Sequence, residues 1–256
     1  MKNVSKKEII KLLKDQKEIF GDELFITKDE LQKNKPSPVV KEKEFTYKVE
    51  KVLTEMPKEE PALFAEKKED WELADSLDKL NKLICNCAKC VLHKGRNKFV
   101  FGSGNPNADV LVIGEGPGAE EDKQGLPFVG RAGKLLTDML KAIKFERDEV
   151  YIGNIIKCRP PENRTPLPDE MDTCLPYLKK QIELIKPKLI LCLGLTAAKG
   201  LLKKRESLTN LRGKVFEFDN AKVVVSYHPA ALLRNPNWKK PAWQDLQMFR
   251  KLYDES

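Results

Sequence analysis

Four short apolar runs constrain the fold of this 256-residue chain more than any other feature. They lie at Val110–Ile113, Val150–Ile156, Leu189–Leu193 and Val223–Val225. Runs that are apolar throughout, instead of alternating with polar residues, are typical of strands covered on both faces. Segments with helical period lie near Gly130–Ile143, Asp169–Ile185, Thr196–Leu202 and Trp243–Tyr253. We therefore predict an α/β fold, a three-layer αβα sandwich around a central four-stranded parallel sheet.

The N-terminal third of the chain has a different composition. Residues 1–20 place apolar side chains among Lys and Glu in the pattern of a short amphipathic helix. Residues 21–69 are rich in Lys, Glu and Pro, which predicts a flexible, charged and largely disordered linker. A helix over "DWELADSLDKLNKLI" then begins the folded domain, predicted over 70–256. A role in docking another protein stays open for the N-terminal extension.

The charge of the chain points to a polyanionic partner. The formal net charge is +8, and residues 85–256 carry the whole excess. A solvated Lys- and Glu-rich surface of the kind found in thermophilic proteins explains the charge equally well. No apolar run approaches the ~20 residues of a membrane span, and the N-terminus lacks an apolar signal core. We expect a cytoplasmic monomer with no membrane partner.

In open parallel sheets, ligands bind outside the carboxyl ends of the strands. Here those ends read "GEGPG", "GNIIKCRPPENR", "LGLTAAK" and "SYHPAALLR". The first loop lacks the third glycine of a dinucleotide fingerprint and the Lys-Ser/Thr of a phosphate-binding loop. Its acidic residues, Glu115, Glu120, Glu121 and Asp122, would repel a pyrophosphate. The loop therefore suits a neutral group or a centre that becomes positive.

Two polar residues at the strand ends are candidate ligand contacts. Asn154 lies inside an apolar strand, where an amide without partners costs about 1–3 kcal/mol. His228 follows the fourth run and precedes a proline. A satisfied core histidine is the alternative for His228.

The cysteine spacing predicts a metal or cluster site. Cys87 and Cys90 form a C-x2-C pair, and Cys158 and Cys174 can complete four ligands. The spacing does not separate structural zinc from an iron–sulfur cluster. Cys192 fits a buried hydrophobic position, whereas Cys85 is an alternative to Cys87 as a ligand.

Several motifs together resemble the family 4 uracil-DNA glycosylases, the iron–sulfur branch of that superfamily. They include "CAKCVLHKGR", "DVLVIGEGPGAEEDKQGLPFVGRAG", "YIGNIIKCRPPENRTPLPDE" and "YHPAALLR", and they span about residues 87–252. The resemblance implies one 4Fe–4S cluster on Cys87, Cys90, Cys158 and Cys174. It also implies an enzyme of base excision repair that flips uracil out of single- or double-stranded DNA and hydrolyses its N-glycosidic bond, leaving an abasic site.

The resemblance further implies catalytic roles for Glu115 and His228. Glu115 would lie near the sugar, which becomes positive, and would place or activate the attacking water. His228 would donate a hydrogen bond to uracil O2 as negative charge develops there. Backbone N–H groups around Gly116 would approach the same oxygen.

Three further residues would recognise the base. Phe128 would stack on the flipped uracil, and Asn154 would pair with its N3–H and O4, a pattern that cytosine reverses. Glu121 would lie near C5 and help to exclude the methyl group of thymine.

The resemblance also suggests contacts with DNA. Leu232, Leu233 or Arg234 would wedge into the stack that the base leaves. Arg159, Arg164 and Lys199 are candidate phosphate contacts. Two alternatives remain: a sister glycosylase for other deaminated bases, and a DNA-binding or DNA-polymerase-associated iron–sulfur module without catalytic activity.

Overall fold

A computed structural model describes residues 69–256. The helix predicted over 1–20 and the linker predicted over 21–69, except its last residue, lie outside the described residues. Six strands form one sheet in the order β1-β3-β2-β4-β6-β5. Their bounds are Ser103–Gly104 (β1), Val110–Gly114 (β2), Tyr151–Asn154 (β3), Leu189–Leu193 (β4), Val215–Phe218 (β5) and Ala221–Ser226 (β6).

The helices of the described part connect and cover these strands. The α-helices are Leu77–Ile84 (α1), Ala119–Gln124 (α2), Arg131–Ala142 (α3), Pro168–Ile185 (α4), Leu195–Leu202 (α5), Leu208–Leu211 (α6), Pro229–Arg234 (α7) and Lys239–Asp254 (α8). Short 3₁₀ turns lie at Asp70–Leu73, Val91–Lys94, Pro161–Asn163 and Pro236–Trp238. Within residues 69–256, none of the helices has the length and the hydrophobicity of a membrane span.

The three-layer prediction is confirmed by the way strand residues divide between two cores. In β2, Leu111 and Ile113 point into a core that includes residues of α1, α4 and α5. Val110 and Val112 point into a second core with residues of α3 and α8. Alternate residues of one strand are therefore buried on opposite faces, which explains the uninterrupted apolar runs.

The four predicted strands form the parallel centre of the sheet, in the order β3-β2-β4-β6. Two antiparallel edge strands, β1 and β5, were missed. The first is a Ser-Gly pair, and the second alternates exposed and half-buried residues, so neither has an apolar run. The strand predicted to reach Ile156 ends at Asn154, after which Ile155 N donates to Gly114 O at 3.0 Å.

The helix predicted over residues 70–84 is broken. A 3₁₀ turn covers Asp70–Leu73, and α1 begins after Ser76, whose hydroxyl accepts a hydrogen bond from Lys79 N at 3.3 Å. Ser76 is therefore the N-cap of α1, and the extended backbone of Ala74 and Ser76 separates this helix from the preceding turn. Leu80 and Ile84 are buried, so α1 packs on the sheet domain as expected.

Candidate active site

The carboxyl ends of three of the four parallel strands, β2, β3 and β6, border a cavity of about 420 Å³. Its walls come from the loops after β2, β3 and β6 and from the loop before α3. The predicted residues Glu115, Phe128, Asn154 and His228 all line it. Four separate stretches of sequence therefore meet at one site of small-molecule size.

Phe128 is held in a strained and crowded position. It is buried and has a φ of 52°, which is unusual for a residue other than glycine. A Cβ on Gly133 would lie 1.8 Å from its carbonyl oxygen, so the first turn of α3 can approach only because residue 133 lacks a side chain. Such strain persists only where surrounding contacts enforce it, and it is typical of functional sites.

Asn154, the last residue of β3, presents an unsatisfied amide to the cavity. The residue is buried, and its Oδ1 has no hydrogen-bond partner in residues 69–256. Its backbone carbonyl accepts a hydrogen bond from Lys157 Nζ at 3.0 Å. A buried acceptor without a partner calls for a donor from a ligand or a water molecule.

His228 is a neutral hydrogen-bond donor in this arrangement. Burial, together with the charge of Arg234, lowers its pKa to about 4, so the imidazole is uncharged at neutral pH. Its Nδ1 accepts the backbone N–H of Ala230 at 3.2 Å, as the N-cap of α7. The proton of the neutral ring is therefore on Nε2. Its ring lies 5.5 Å from that of Phe128.

Glu115 lies on the loop directly after β2. Burial raises the pKa of its carboxyl, while a hydrogen bond from Thr196 and the charge of Arg234 act in the opposite direction. The backbone carbonyl of Glu115 accepts a hydrogen bond from Ile156 N at 3.2 Å, which joins this loop to the segment after β3. Thr196 is a contact that the sequence pattern did not indicate.

Glu121 lines the cavity and also holds two loops together. Its Oε1 accepts the backbone N–H groups of Val129 and Gly130 at 2.9 and 3.1 Å, and its Oε2 accepts that of Gly118 at 3.1 Å. The carboxylate therefore positions the loop that carries Phe128. Thymine exclusion by Glu121 stays a prediction.

The two leucines of α7 have different environments. Leu232 is 2% exposed and packs in the second core, so it is unable to reach DNA without unfolding α7. Leu233 is 45% exposed, and Arg234 is exposed and lines the cavity. Of the three residues predicted to wedge into DNA, Leu233 and Arg234 are therefore exposed and Leu232 is not; their contact with DNA stays a prediction.

The candidate phosphate contacts are not equivalent. Both Nη atoms of Arg164 donate to the buried carboxylate of Glu170, at 2.9 and 2.6 Å, so this guanidinium braces the cavity wall. Arg159 Nε donates to Asn163 Oδ1 at 2.8 Å. Lys199 is exposed on α5 and does not line the cavity.

The four-cysteine site, formed by Cys87, Cys90, Cys158 and Cys174, lies beside the core on the α4 side. Cys158 and Cys174 are buried in that core, and Cys87 and Cys90 pack against it. None of the cysteines is in a disulfide. Among residues 69–256, no group of three or more His, Cys, Asp or Glu side chains lies close enough together to hold a metal ion as the side chains stand.

Two side chains donate hydrogen bonds to sulfur atoms of this site. Arg96 Nη1 donates to Cys158 Sγ at 3.3 Å, and Tyr177 Oη donates to Cys87 Sγ at 3.3 Å. The other cysteines have different environments. Cys192 is fully buried in β4, as predicted for a hydrophobic position, and the Cys85 thiol donates to Lys82 O at 3.6 Å.

Sequence reasoning missed Arg96, Lys157 and Glu170. Lys157 left a signal in the sequence, because it is a single charged residue that directly follows an apolar run. In the structure its side chain is 0% exposed. Burial lowers its pKa to about 8. Arg96 and Glu170 left none, because their partners are distant in sequence or depend on loop geometry.

Comparison with known proteins identifies the family. The sequence pattern of the Uracil DNA glycosylase superfamily matches residues 101–247. A type-4 uracil-DNA glycosylase of Sulfurisphaera tokodaii is 46% identical over 70% of this chain and 85% of that protein. The type-4 uracil-DNA glycosylase of Pyrobaculum aerophilum is 46% identical over 68% of this chain and 92% of that protein. That of Archaeoglobus fulgidus is 42% identical over 70% of this chain and 94% of that protein. The chain therefore belongs to the uracil-DNA glycosylase superfamily, in its type-4 branch.

Proposed function

We propose that this chain removes uracil from DNA by hydrolysing the N-glycosidic bond of an extruded nucleotide, which leaves an abasic site. The convergence of Glu115, Phe128, Asn154 and His228 on one cavity is the observation that carries this proposal. The relatives named above are themselves uracil-DNA glycosylases, which supports the same activity.

Asn154 accounts for the choice of uracil over cytosine. The unpartnered Oδ1 accepts the uracil N3–H, and Nδ2 donates to uracil O4. Cytosine presents an unprotonated N3 and an amino group at these positions, so it would leave the buried acceptor unpaired. That mismatch costs about 1–3 kcal/mol for each unsatisfied group.

His228 and Glu115 stabilise opposite ends of the charge separation. When the C1′–N1 bond breaks, its electron pair leaves with the uracil ring, and His228 Nε2–H donates to O2 as this oxygen becomes negative. The ionised Glu115 stabilises the positive sugar and orients a water molecule, whose oxygen bonds C1′ and whose proton Glu115 accepts. Donors already fixed in place cost no reorganisation during the reaction, and losing one lowers the rate about a hundredfold or more.

Cys87, Cys90, Cys158 and Cys174 would hold a 4Fe–4S cluster. In support, Arg96 and Tyr177 donate N–H and O–H hydrogen bonds to two of their sulfur atoms, a contact of the kind that tunes such clusters. The fully buried ammonium of Lys157 nearby pairs with no Asp or Glu among the described residues, which favours an anionic occupant. When bound, the cluster would crosslink the C-x2-C loop to the segment after β3 and to α4.

Metal analysis of purified protein tests this assignment. About four iron atoms per chain, with a brown colour and broad visible absorption, are expected for one 4Fe–4S cluster. One zinc ion per chain with no visible absorption would contradict it and support the alternative that the spacing left open.

A glycosylase assay tests the function. Oligonucleotides with uracil opposite guanine, uracil opposite adenine and single-stranded uracil should all be cleaved at the abasic site after alkali treatment. Asn154→Ala and His228→Ala should each lower the rate about a hundredfold, whereas the exposed Glu120→Gln should leave it within twofold. Binding of these DNAs without cleavage would instead indicate a DNA-binding module, and cleavage at hypoxanthine in preference to uracil would indicate a sister glycosylase.

A further inference from the structure

Lys157 is a buried lysine with an unusual set of partners. Its side chain is 0% exposed, and Nζ donates to the backbone carbonyl of Asn154 at 3.0 Å and to Gln181 Oε1 at 2.6 Å. Both acceptors are uncharged, and no carboxylate of residues 69–256 pairs with it. Burying an ammonium without an anion is costly, so a group of opposite charge is expected close by.

Lys157 also adjoins the four-cysteine site. Its backbone N–H is within hydrogen-bonding reach of the Cys174 thiol, and its ammonium is near enough to that thiol to interact with it electrostatically. Cys158 is the next residue along the chain. Lys157 therefore contacts both the four-cysteine site and the backbone of the residue that reads the base.

Gln181 keeps the ammonium in this position. Its Nε2 donates to the backbone carbonyl of Phe101 at 3.0 Å, which turns Oε1 toward Lys157. Gln181 lies two turns after Cys174 on α4, so both residues approach Lys157 from one helix. A methionine would fill the same space without any cost of burying charge, so filling space does not account for a lysine here.

We propose that Lys157 is a positioning residue that links the four-cysteine site to the base-reading amide of Asn154. When a cluster is bound, the ammonium would be the counter-ion of this anionic group. Its hydrogen bond to the Asn154 carbonyl fixes the end of β3. The Asn154 side chain is then held in the orientation that pairs with uracil. This inference rests on the proposed function and gives the cluster a part in recognising the base.

Replacement of Lys157 by methionine in the full-length, cluster-containing protein tests the link. Two quantities other than activity are measured: the dissociation constant for free uracil, and the half-life of the visible absorption under an iron chelator. We expect uracil affinity to fall about tenfold, the loss of one charged hydrogen bond, and the half-life of the absorption to shorten. Affinity for uracil-free DNA should stay within twofold of the parent protein.

Lys180→Met is the matched control. Lys180 lies beside Gln181 on α4, its side chain is 10% exposed, and it pairs with Glu183 at 2.8 Å instead of contacting Asn154. Its replacement should leave uracil affinity and the absorption half-life unchanged. An equal effect of both replacements would overturn the proposal, because it would indicate general loosening of the core.

A double mutant separates positioning from packing. If Lys157 acts through Asn154, Lys157→Met combined with Asn154→Ala should bind uracil no more weakly than Asn154→Ala alone. Losses that multiply would overturn the proposal. If Lys157→Met does not fold, Gln181→Leu is the second variant, because it removes one hydrogen-bond partner of the Lys157 ammonium. It should weaken uracil binding about threefold. An unchanged affinity would overturn the proposal.

These results are distinguishable from failure of the proposed function. A parent protein that neither binds nor excises uracil would contradict the proposed function itself. A parent protein that excises uracil, together with a Lys157→Met variant that retains full uracil affinity and a stable cluster, would contradict this inference alone.

Discussion

The ring of Phe128 occupies the space that a side chain on Gly114 would need. A Cβ on Gly114 would lie 2.6 Å from Phe128 Cζ, and 2.5 Å from Asn154 Oδ1. The absence of a side chain on the last residue of β2 thus lets the ring of Phe128 and the amide of Asn154 approach one another. Under the proposed function, this glycine is needed for recognition of the base as well as for the turn.

Gly114→Ala should therefore displace Phe128, Asn154 or both. A shift of about 1 Å at a reacting site costs on the order of a hundredfold in rate, so we expect a loss of that size in kcat/KM for uracil excision. Single-turnover kinetics on a uracil-containing oligonucleotide measures it. Gly95→Ala is the control, because a Cβ there meets nothing within 4 Å. Parent-level activity in Gly114→Ala would show that the ring moves aside at no cost.

Glu121→Gln tests how the loop that carries Phe128 is held. A glutamine keeps one acceptor oxygen where the carboxylate uses two for Gly118, Val129 and Gly130. We expect kcat/KM for uracil to fall about tenfold, corresponding to one hydrogen bond. Release of thymine from a T:G oligonucleotide by this variant would, in addition, support the role near C5 that the sequence predicts.

The pH dependence of excision should follow Glu115. Burial raises the pKa of this carboxyl above its usual 4.5, and the carboxylate is the active form, so kcat/KM should fall with acid at a midpoint above that of an ordinary glutamate. His228, with a pKa of about 4, is expected to titrate at lower pH than Glu115. Glu115→Gln should be slow at every pH and lack the acid limb. An acid limb that survives in this variant would assign it to another group.

Leu233→Ala should affect double-stranded more than single-stranded substrate. Leu233 is 45% exposed beside the cavity, and filling the vacated stack matters only where a base must leave a duplex. We expect about a tenfold loss on duplex uracil, equivalent to ~1.4 kcal/mol, and little loss on single strands. Leu73→Ala, at a 60% exposed residue outside the cavity lining, is the control. Equal losses on both substrates would contradict a role as a wedge.

The order of strands and helices and the chemistry at the strand ends were readable from the sequence. A strand that is buried on both faces leaves a local signal in the sequence, which is an uninterrupted apolar run. The carboxyl ends of parallel strands meet at one edge of the sheet, whatever the details of packing. That argument already brought Glu115, Asn154 and His228 to one edge of the sheet. The edge strands β1 and β5 were not predicted by this argument, because strands at the edge of a sheet need no uninterrupted apolar run.

Only the tertiary structure showed that Leu232 is buried whereas Leu233 is exposed. It also showed that Arg164 pairs with Glu170, and that Lys157 has two hydrogen-bond acceptors. Leu232 and Leu233 are neighbours of the same residue type, so the sequence alone does not tell which of them is buried. Their burial depends on which face of α7 packs against the core. Hydrogen-bond partners such as Lys157 and Gln181, 24 residues apart, are chosen by long-range packing. The sequence by itself determined which chemical groups were available at the strand ends, and the fold decided which of them remain free to act.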